Sequence, residues 1–172
     1  MSLVNPLAAS TTPEYKETVV GVADLQVVSG ASALLTTYAL GSCLGITLYD
    51  SHRKIGGMLH VMLPDSKPHS GQDRIAMFLD LGLPELLART KQAGGREGGM
   101  ECKVFGGAQV MSADKFFRIG DRNAEACREW AAKLNLRVTV WEIGGHVNRT
   151  IKFYLDTGKV SVRTPSQPLF WR

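Results

Sequence analysis

A chain of 172 residues with 44% hydrophobic and 21% charged residues is long enough to bury the core of one domain, and it is too apolar to be disordered. The formal net charge is only +4, and the Lys and Arg residues are scattered through the chain. Nucleic-acid binders instead gather basic residues with interleaved aromatic residues, so this class is disfavoured. A solvated, slightly basic surface is the simpler interpretation, and attraction of an acidic protein partner is the alternative.

The three cysteines are odd in number and widely spaced, which favours free thiols in a reducing compartment over a disulfide scaffold. No apolar stretch reaches the length of a membrane span, and residues 1–14 lack the features of a signal peptide. We therefore expect a cytoplasmic protein without membrane insertion. His52, His69 and His146 fall in predicted loops with no Cys or acid at ligand spacing, so no metal and no other cofactor is expected.

Composition divides the chain into a domain with two tails. Residues 1–16 are rich in Ser, Thr, Pro and Ala, which is typical of a flexible tail. Residues 17–163 are expected to form a single domain, and 164–172 a C-terminal tail. Apolar runs and period-two alternation predict about eight strands. These lie, in chain order, at 19–28, 34–37, 44–49, 55–63, 101–105, 137–142, 151–155 and 160–163.

Helical spacing of apolar residues predicts helices at 73–81, 84–92 and 124–134. Gly82 should end the first helix, Pro84 fits the first turn of the second, and Asn123 could cap the third. The alternative for Arg122 and Asn123 is that they brace a loop near a functional site. Because strands outnumber helices and several form hairpins, the predicted fold class is α+β, a mixed β-sandwich with two or three helices packed on it.

A register argument links a cysteine to a histidine. If Ser51 and His52 form a two-residue turn, the strands on either side pair so that Cys43 lies directly opposite His60. Cross-strand neighbours have Cβ atoms about 4.5–5.5 Å apart, within range of a contact between thiol and imidazole. These two turn residues lack the Gly or Asn that a tight hairpin prefers, so a longer loop would move the register.

A thiol beside an imidazole has the chemistry for acyl transfer. The thiolate is the nucleophile, and the imidazole supplies first the base and then the acid for a leaving amine. Gly41 would let the backbone turn sharply and leave the N–H of Cys43 available to an oxyanion. No acid lies just upstream to orient the imidazole, but Thr36 and Thr37 do.

From spacing alone, a structural cysteine beside a satisfied core histidine is the more common arrangement. Cys102 and Cys127 are expected to be packing residues. Two glycines after Phe105 without a following Lys-Ser/Thr are more typical of a strand-to-loop turn than of a phosphate cradle. Phe116 and Phe117 are more simply explained by core burial than by an exposed docking patch.

The order of short motifs changes this interpretation. Thr37, Leu40-Gly41-Ser42-Cys43 and Leu59-His60-Val61-Met62-Leu63-Pro64 are followed by Lys103-Val104-Phe105-Gly106-Gly107-Ala108, Ile119-Gly120-Asp121-Arg122-Asn123, and Gly144-Gly145 with Arg149. This series, over about residues 20 to 163, resembles the CheD family of chemotaxis proteins. Asn148 departs from the pattern by standing where a glycine is expected, and an aromatic residue is missing near Gln72 and Asp73.

The resemblance implies a fold shared with a toxin-type glutamine deamidase and hydrolysis of glutamine side chains on chemoreceptors to glutamate. It implies Cys43 as the nucleophile, His60 as the base and Thr37 as the third member of the set. Ser42 and Gly41 would support the site. The expected partners are the cytoplasmic helices of chemoreceptors as substrate and a CheC-type phosphatase. The alternative function is a non-catalytic chemotaxis protein that binds such a phosphatase, although an adaptor has no need of a reactive pair.

Overall fold

The computed structural model describes residues 13–69, 71, 73–110 and 118–172. Within these ranges the chain forms ten strands and two α-helices, with three short 3₁₀ helices at Lys67–His69, Ile75–Met77 and Glu97–Gly99. In chain order they are β1 (Lys16–Val19), β2 (Asp24–Ser29), β3 (Ala33–Leu40), β4 (Leu44–Asp50), β5 (Ile55–Val61), α1 (Leu79–Gln92), β6 (Met100–Gly106), α2 (Ile119–Lys133), β7 (Arg137–Ile143), β8 (Arg149–Tyr154), β9 (Val160–Arg163) and β10 (Phe170–Trp171).

The strands form two five-stranded sheets. Sheet 1 has the order β1-β3-β8-β9-β10, and sheet 2 has the order β2-β5-β4-β6-β7. The pairs β1–β3 and β6–β7 are parallel, and the other neighbours are antiparallel. One hydrophobic core lies between the sheets, and a second lies between sheet 2 and the helices. The predicted α+β class, a mixed sandwich with helices packed on it, is confirmed.

Sheet 2 is the middle layer, and this explains where a polar residue becomes buried. All residues of β4 and β5 are buried, because sheet 1 covers one face and the helices cover the other. Along β5, Leu59 and Val61 pack in the core on the helix side, whereas Met58 packs between the sheets. Side chains alternate along a strand, so His60 shares the face of Met58 and points between the sheets.

The predicted register of the β4–β5 hairpin is wrong by two residues. Asp50 pairs with Ile55, so residues 51–54 form a four-residue turn, and Gly45 rather than Cys43 lies opposite His60. The Asp50 carboxylate accepts two backbone N–H groups within this turn, which stabilises the longer loop. A shift by an even number of residues keeps the same side chains on each face of the sheet. The predicted face of His60 was therefore right, and its predicted position directly opposite Cys43 was wrong.

The helix boundaries also differ from those predicted. Gly82 does not end a helix, because α1 runs through it and through Pro84. A Cβ at Gly82 would lie 3.1 Å from the side chain of Leu59, so this glycine permits close packing of α1 on β5. Helix α2 begins at Ile119, five residues before the predicted start, and Asn123 therefore lies inside the helix and does not cap it.

Most of the predicted N-terminal tail lies outside the described ranges, as do Phe116 and Phe117, whose predicted burial is therefore not described. Near the other end, the segment 164–172 contributes β10, which pairs with β9 at the edge of sheet 1. In the described parts of the chain, neither helix is both long and apolar enough to cross a membrane.

Candidate active site

Cys43 lies in the short loop between β3 and β4, which we call the nucleophile loop (residues 41–43). The thiol is half-buried, whereas Cys102 and Cys127 are buried in the core on the helix side of sheet 2. Each carbonyl of the loop accepts a hydrogen bond: Gly41 O from Ala108 N at 2.8 Å, Ser42 O from Asn123 Nδ2 at 2.9 Å, and Cys43 O from Gly107 N at 2.9 Å. The loop is therefore fixed by its surroundings and not by its own sequence.

The glycine pair after Phe105 forms the turn that approaches this loop. Gly106 and Gly107 have φ of +105° and +64°, the left-handed region that favours glycine. A Cβ at Gly106 would lie 2.2 Å from the carbonyl oxygen of Cys43. The glycine pair is thus a strand-to-loop turn that presses its backbone against the nucleophile loop.

A β-bulge in β3 sets the direction of the chain before the cysteine. The register of β3 against β8 shifts between Thr37 and Leu40, and Ala39 has a φ of +55°. Without the extra residue, Thr37 and Leu40 would point to opposite faces. With it, Leu40 packs in the core between the sheets and Thr37 reaches the same interior.

His60 and Thr37 meet between the two sheets. The Nδ1 atom of His60 lies 2.8 Å from the Oγ1 atom of Thr37, and both side chains are buried. The Thr37 hydroxyl donates its single proton to the carbonyl of Val20 at 2.7 Å. It must therefore accept from Nδ1–H, which fixes the tautomer and leaves the lone pair on Nε2. Thr36 points the other way and bonds to Glu17.

The second ring nitrogen of His60, Nε2, remains free to accept a proton. Within the described ranges, Nε2 of His60 is buried and has no hydrogen-bond partner, and no hydrogen bond joins His60 to the Cys43 thiol. Cys43 comes two residues before Gly45, the residue opposite His60. Such diagonal neighbours are about 7–8 Å apart in a regular sheet, and catalytic contacts often tighten only when substrate binds.

Burial keeps both groups neutral. It lowers the pKa of His60 to about 4, and the Asp24 carboxylate on the neighbouring strand opposes this shift. Burial also raises the pKa of the Cys43 thiol, opposed by the backbone N–H of Cys43 itself. At neutral pH the resting pair is therefore a thiol and an uncharged imidazole with a free lone pair, which is the form a general base requires.

Asn123 joins this site from the helix layer. Its side chain is buried, and Nδ2 donates to the carbonyls of Ser42 at 2.9 Å and Met62 at 2.8 Å. The predicted helix cap is thus wrong, and the alternative of a brace near the site describes the contacts. A sequence signal was available: Asn123, Cys127 and Ala131 are spaced four residues apart and share the buried face of α2.

Comparison with known proteins agrees with the motifs. The family model described as CheD chemotactic sensory transduction matches residues 62–164, more than half of the chain. A protein of Desulforamulus reducens is 39% identical over 153 residues, which are 87% of this chain and 92% of that protein. The chain belongs to the CheD family.

Two further CheD relatives give the same picture. A protein of Syntrophus aciditrophicus is 36% identical over 155 residues, covering 89% of this chain and 97% of its own. One of Clostridium botulinum is 39% identical over 154 residues, covering 88% of this chain and 94% of its own. All three relatives are named probable chemoreceptor glutamine deamidase CheD, with the Syntrophus protein numbered 1.

The last of the CheD-like motifs, from Gly144 to Arg149, lies behind the glycine turn that holds the nucleophile loop. Arg149 is buried, and its guanidinium donates to the carbonyl of Gly144 at 2.9 Å, while Gly144 N donates to Gly106 O. Asn148 flanks Gly41, where a Cβ would lie 3.0 Å from its Oδ1. Positive φ occurs at Gly144 and Gly145 but not at Asn148, so the expected glycine is not needed there for its backbone freedom.

Proposed function

We propose that this protein hydrolyses glutamine side chains of chemoreceptors to glutamate, with Cys43 as nucleophile, His60 as general base and acid, and Thr37 as the residue that orients the imidazole. The observation that carries the proposal is the 2.8 Å contact between Thr37 and His60, which leaves Nε2 unbonded on the face of sheet 2 against which Cys43 also packs. The names of the CheD relatives supply the substrate class.

The first half-reaction forms a thioester. The sulfur of Cys43 attacks the side-chain carbonyl carbon of glutamine as the thiol proton passes to Nε2 of His60, and the carbonyl oxygen becomes an oxyanion. The carbon–nitrogen bond then breaks, the imidazolium gives its proton to the leaving amine, and ammonia departs. The thioester between Cys43 and the glutamyl side chain remains.

The second half-reaction releases glutamate. A water molecule attacks the thioester carbonyl as His60 removes one of its protons, and the collapse of the intermediate expels the sulfur, which regains a proton. In both steps the N–H of Cys43 would stabilise the oxyanion. Gly41 and Ser42 support it as parts of the anchored nucleophile loop.

Thr37 has an orienting role in this scheme and supplies no charge. A neutral hydroxyl stabilises the imidazolium less than a carboxylate would. Asp24 faces His60 across the β2–β5 pair and is the acid whose field favours the charged imidazole. Because the resting groups are neutral, the proton moves during attack and no ion pair is needed beforehand.

The test uses the purified protein and the cytoplasmic fragment of a chemoreceptor. Ammonia release and the conversion of individual glutamines to glutamate, read by mass spectrometry, are expected with the wild type and absent with Cys43→Ala. Cys127→Ala is the matched control, since that thiol is buried in the core away from the nucleophile loop. Equal activity of wild type and Cys43→Ala would overturn the assignment.

The same experiment addresses the alternative function. A non-catalytic protein that binds a CheC-type phosphatase would leave every receptor glutamine unchanged and would bind that phosphatase equally well with or without the Cys43 thiol. The buried contact between Thr37 and His60 favours the enzyme, because an adaptor gains nothing from an unbonded buried ring nitrogen.

A further inference from the structure

The side-chain amide of Asn123 donates two hydrogen bonds to backbone carbonyls. These belong to Ser42, next to the nucleophile, and to Met62, two residues beyond the general base. Both partners are acceptors, so the amide nitrogen and not the oxygen must face them. The residue is fully buried, and among the described residues its Oδ1 has no hydrogen-bond partner. A single side chain therefore joins the nucleophile loop to the residue that follows the strand of the base.

The bond from Asn123 to the Ser42 carbonyl also fixes the direction of the Cys43 N–H. The peptide between Ser42 and Cys43 is planar and trans, so its C=O and its N–H point in opposite directions. When Asn123 holds the oxygen of Ser42 on the helix side, the N–H of Cys43 must point away from α2. A rotation of this peptide would carry the N–H away and would break the bond to Asn123.

The N–H of Cys43 is the donor of this peptide. Within the described parts of the chain it donates to no backbone or side-chain acceptor, although the carbonyls of Gly41, Ser42 and Cys43 are all bonded. The same N–H favours the anionic form of the Cys43 sulfur and so opposes the rise that burial causes in the pKa of the thiol. A donor that is fixed in direction and lacks a partner meets the requirement for oxyanion stabilisation.

We infer that Asn123 is a positioning residue that acts through the Ser42–Cys43 peptide to aim the Cys43 N–H at the oxyanion. This inference rests on the proposed deamidation at Cys43 and names a residue beyond the set formed by Cys43, His60 and Thr37. Asn123 touches neither substrate nor sulfur. Its loss should therefore impair the steps that build negative charge on the glutamine oxygen and leave simple displacement at the sulfur intact.

Two reactions of Cys43 separate this role from a merely structural one. Alkylation by iodoacetamide displaces iodide at a saturated carbon and forms no oxyanion, whereas deamidation passes through an oxyanion twice. In Asn123→Asp and Asn123→Ala, we expect the kcat for ammonia release to fall at least about tenfold, since losing an oxyanion donor outright costs about 10²–10³. KM and the alkylation rate of Cys43 should stay within about threefold of the wild type.

The control is Asn135→Asp, an exposed asparagine beyond the end of α2, which should match the wild type in both reactions. A folded Asn123 variant with wild-type kcat would overturn the inference, and so would a parallel fall of kcat and alkylation rate. Failure of the wild type to release more ammonia than Cys43→Ala would instead be a failure of the proposed function.

A structure of the wild type keeps the inference testable if no Asn123 variant folds. A receptor peptide whose glutamine is replaced by its diazoketone analogue would alkylate Cys43 and leave a ketone oxygen near the position of the amide oxygen. We expect that oxygen within hydrogen-bond distance of Cys43 N, with Asn123 still bonded to Ser42. An oxygen directed elsewhere, or a flipped Ser42–Cys43 peptide, would overturn the inference.

Discussion

His60 is an imidazole enclosed between two sheets, and its burial couples its protonation to folding. Its pKa is about 4 in the folded protein, below the ordinary value of 6.5, because burial disfavours the charged ring. Between these two values the unfolded chain binds a proton that the folded chain does not. The free energy of unfolding therefore decreases as the pH falls from 6.5 towards 4, by at most about 1.4 kcal/mol per pH unit.

This linkage predicts a difference between wild type and His60→Gln. From pH 7 to pH 5 the wild type should lose up to about 2 kcal/mol more stability than the variant, which lacks the titrating ring. Urea unfolding at several pH values measures this directly. The same pH dependence in both proteins would show that His60 titrates normally in the folded state and is not buried as described.

Thr37 is the residue whose role is most open to a direct test. Thr37→Ala should lower the rate of ammonia release, because Nδ1 loses its acceptor and the ring its fixed tautomer. The loss should be smaller than that of His60→Ala, for which removal of an acid–base group costs about 10²–10⁴. Thr37→Ser, which keeps the hydroxyl, should retain most of the activity.

Thr36→Ala is the matched control, since this neighbour is equally buried but bonds to Glu17. Equal losses in Thr37→Ala and His60→Ala, with both proteins folded, would mean that Thr37 does more than orient the ring. Full activity of Thr37→Ala would reduce the proposed set to Cys43 and His60.

At the scale of elements, the nucleophile loop is anchored by a turn that glycine forms without strain. Gly106 has a φ of +105°, and a Cβ at this position would clash with Cys43 O. Gly106→Ala should therefore lower the free energy of unfolding by roughly 1–3 kcal/mol from backbone strain, with the clash in addition. Activity should fall as well, because the carbonyl of Cys43 itself must move. Denaturant unfolding and ammonia release measure the two effects.

Gly98→Ala provides the matched comparison for this prediction. Gly98 lies in a 3₁₀ helix, has no left-handed φ, and has no atom within 4 Å of the position that a Cβ would occupy. Its replacement should therefore change neither stability nor activity much. A Gly106→Ala protein as stable and active as Gly98→Ala would show that the turn does not fix the loop.

The elements also show what the sequence could and could not predict. The strands predicted at 151–155 and 160–163 pair as the β8–β9 hairpin, and the fold class followed from the strand pattern. The register of β4 and β5 did not, because the side chain of Asp50 stabilises a longer turn than spacing alone suggests. The start of α2 was missed because Gly120, a poor helix former, is required there by close contact with Gly107.

The candidate site also contains residues that the sequence predicts and contacts that it does not. Cys43, His60 and Thr37 were predicted from motifs, and the contact of Thr37 with His60 is present. The carbonyl of Val20, which determines the tautomer, could not be predicted, because a backbone carbonyl carries no sequence signature. Asn123 was assigned to the wrong helix position, and only the packing of α2 shows that its amide faces the nucleophile loop.

At the scale of the molecule, each of the three layers contributes one polar side chain to the candidate site. Sheet 1 supplies Thr37, sheet 2 supplies His60, and the helix layer supplies Asn123. Their arrangement therefore depends on the packing of both hydrophobic cores.

Partition of the product in the presence of hydroxylamine tests the covalent mechanism most directly. Hydroxylamine reacts with a thioester in competition with water. The wild type should therefore convert a receptor glutamine to a mixture of glutamate and the glutamyl hydroxamate. The ratio of hydroxamate to glutamate should rise with hydroxylamine concentration. Mass spectrometry of the receptor fragment distinguishes the two products, and Cys43→Ala should form neither. Glutamate as the only product at every hydroxylamine concentration, or hydroxamate formed equally by Cys43→Ala, would contradict a thioester at Cys43.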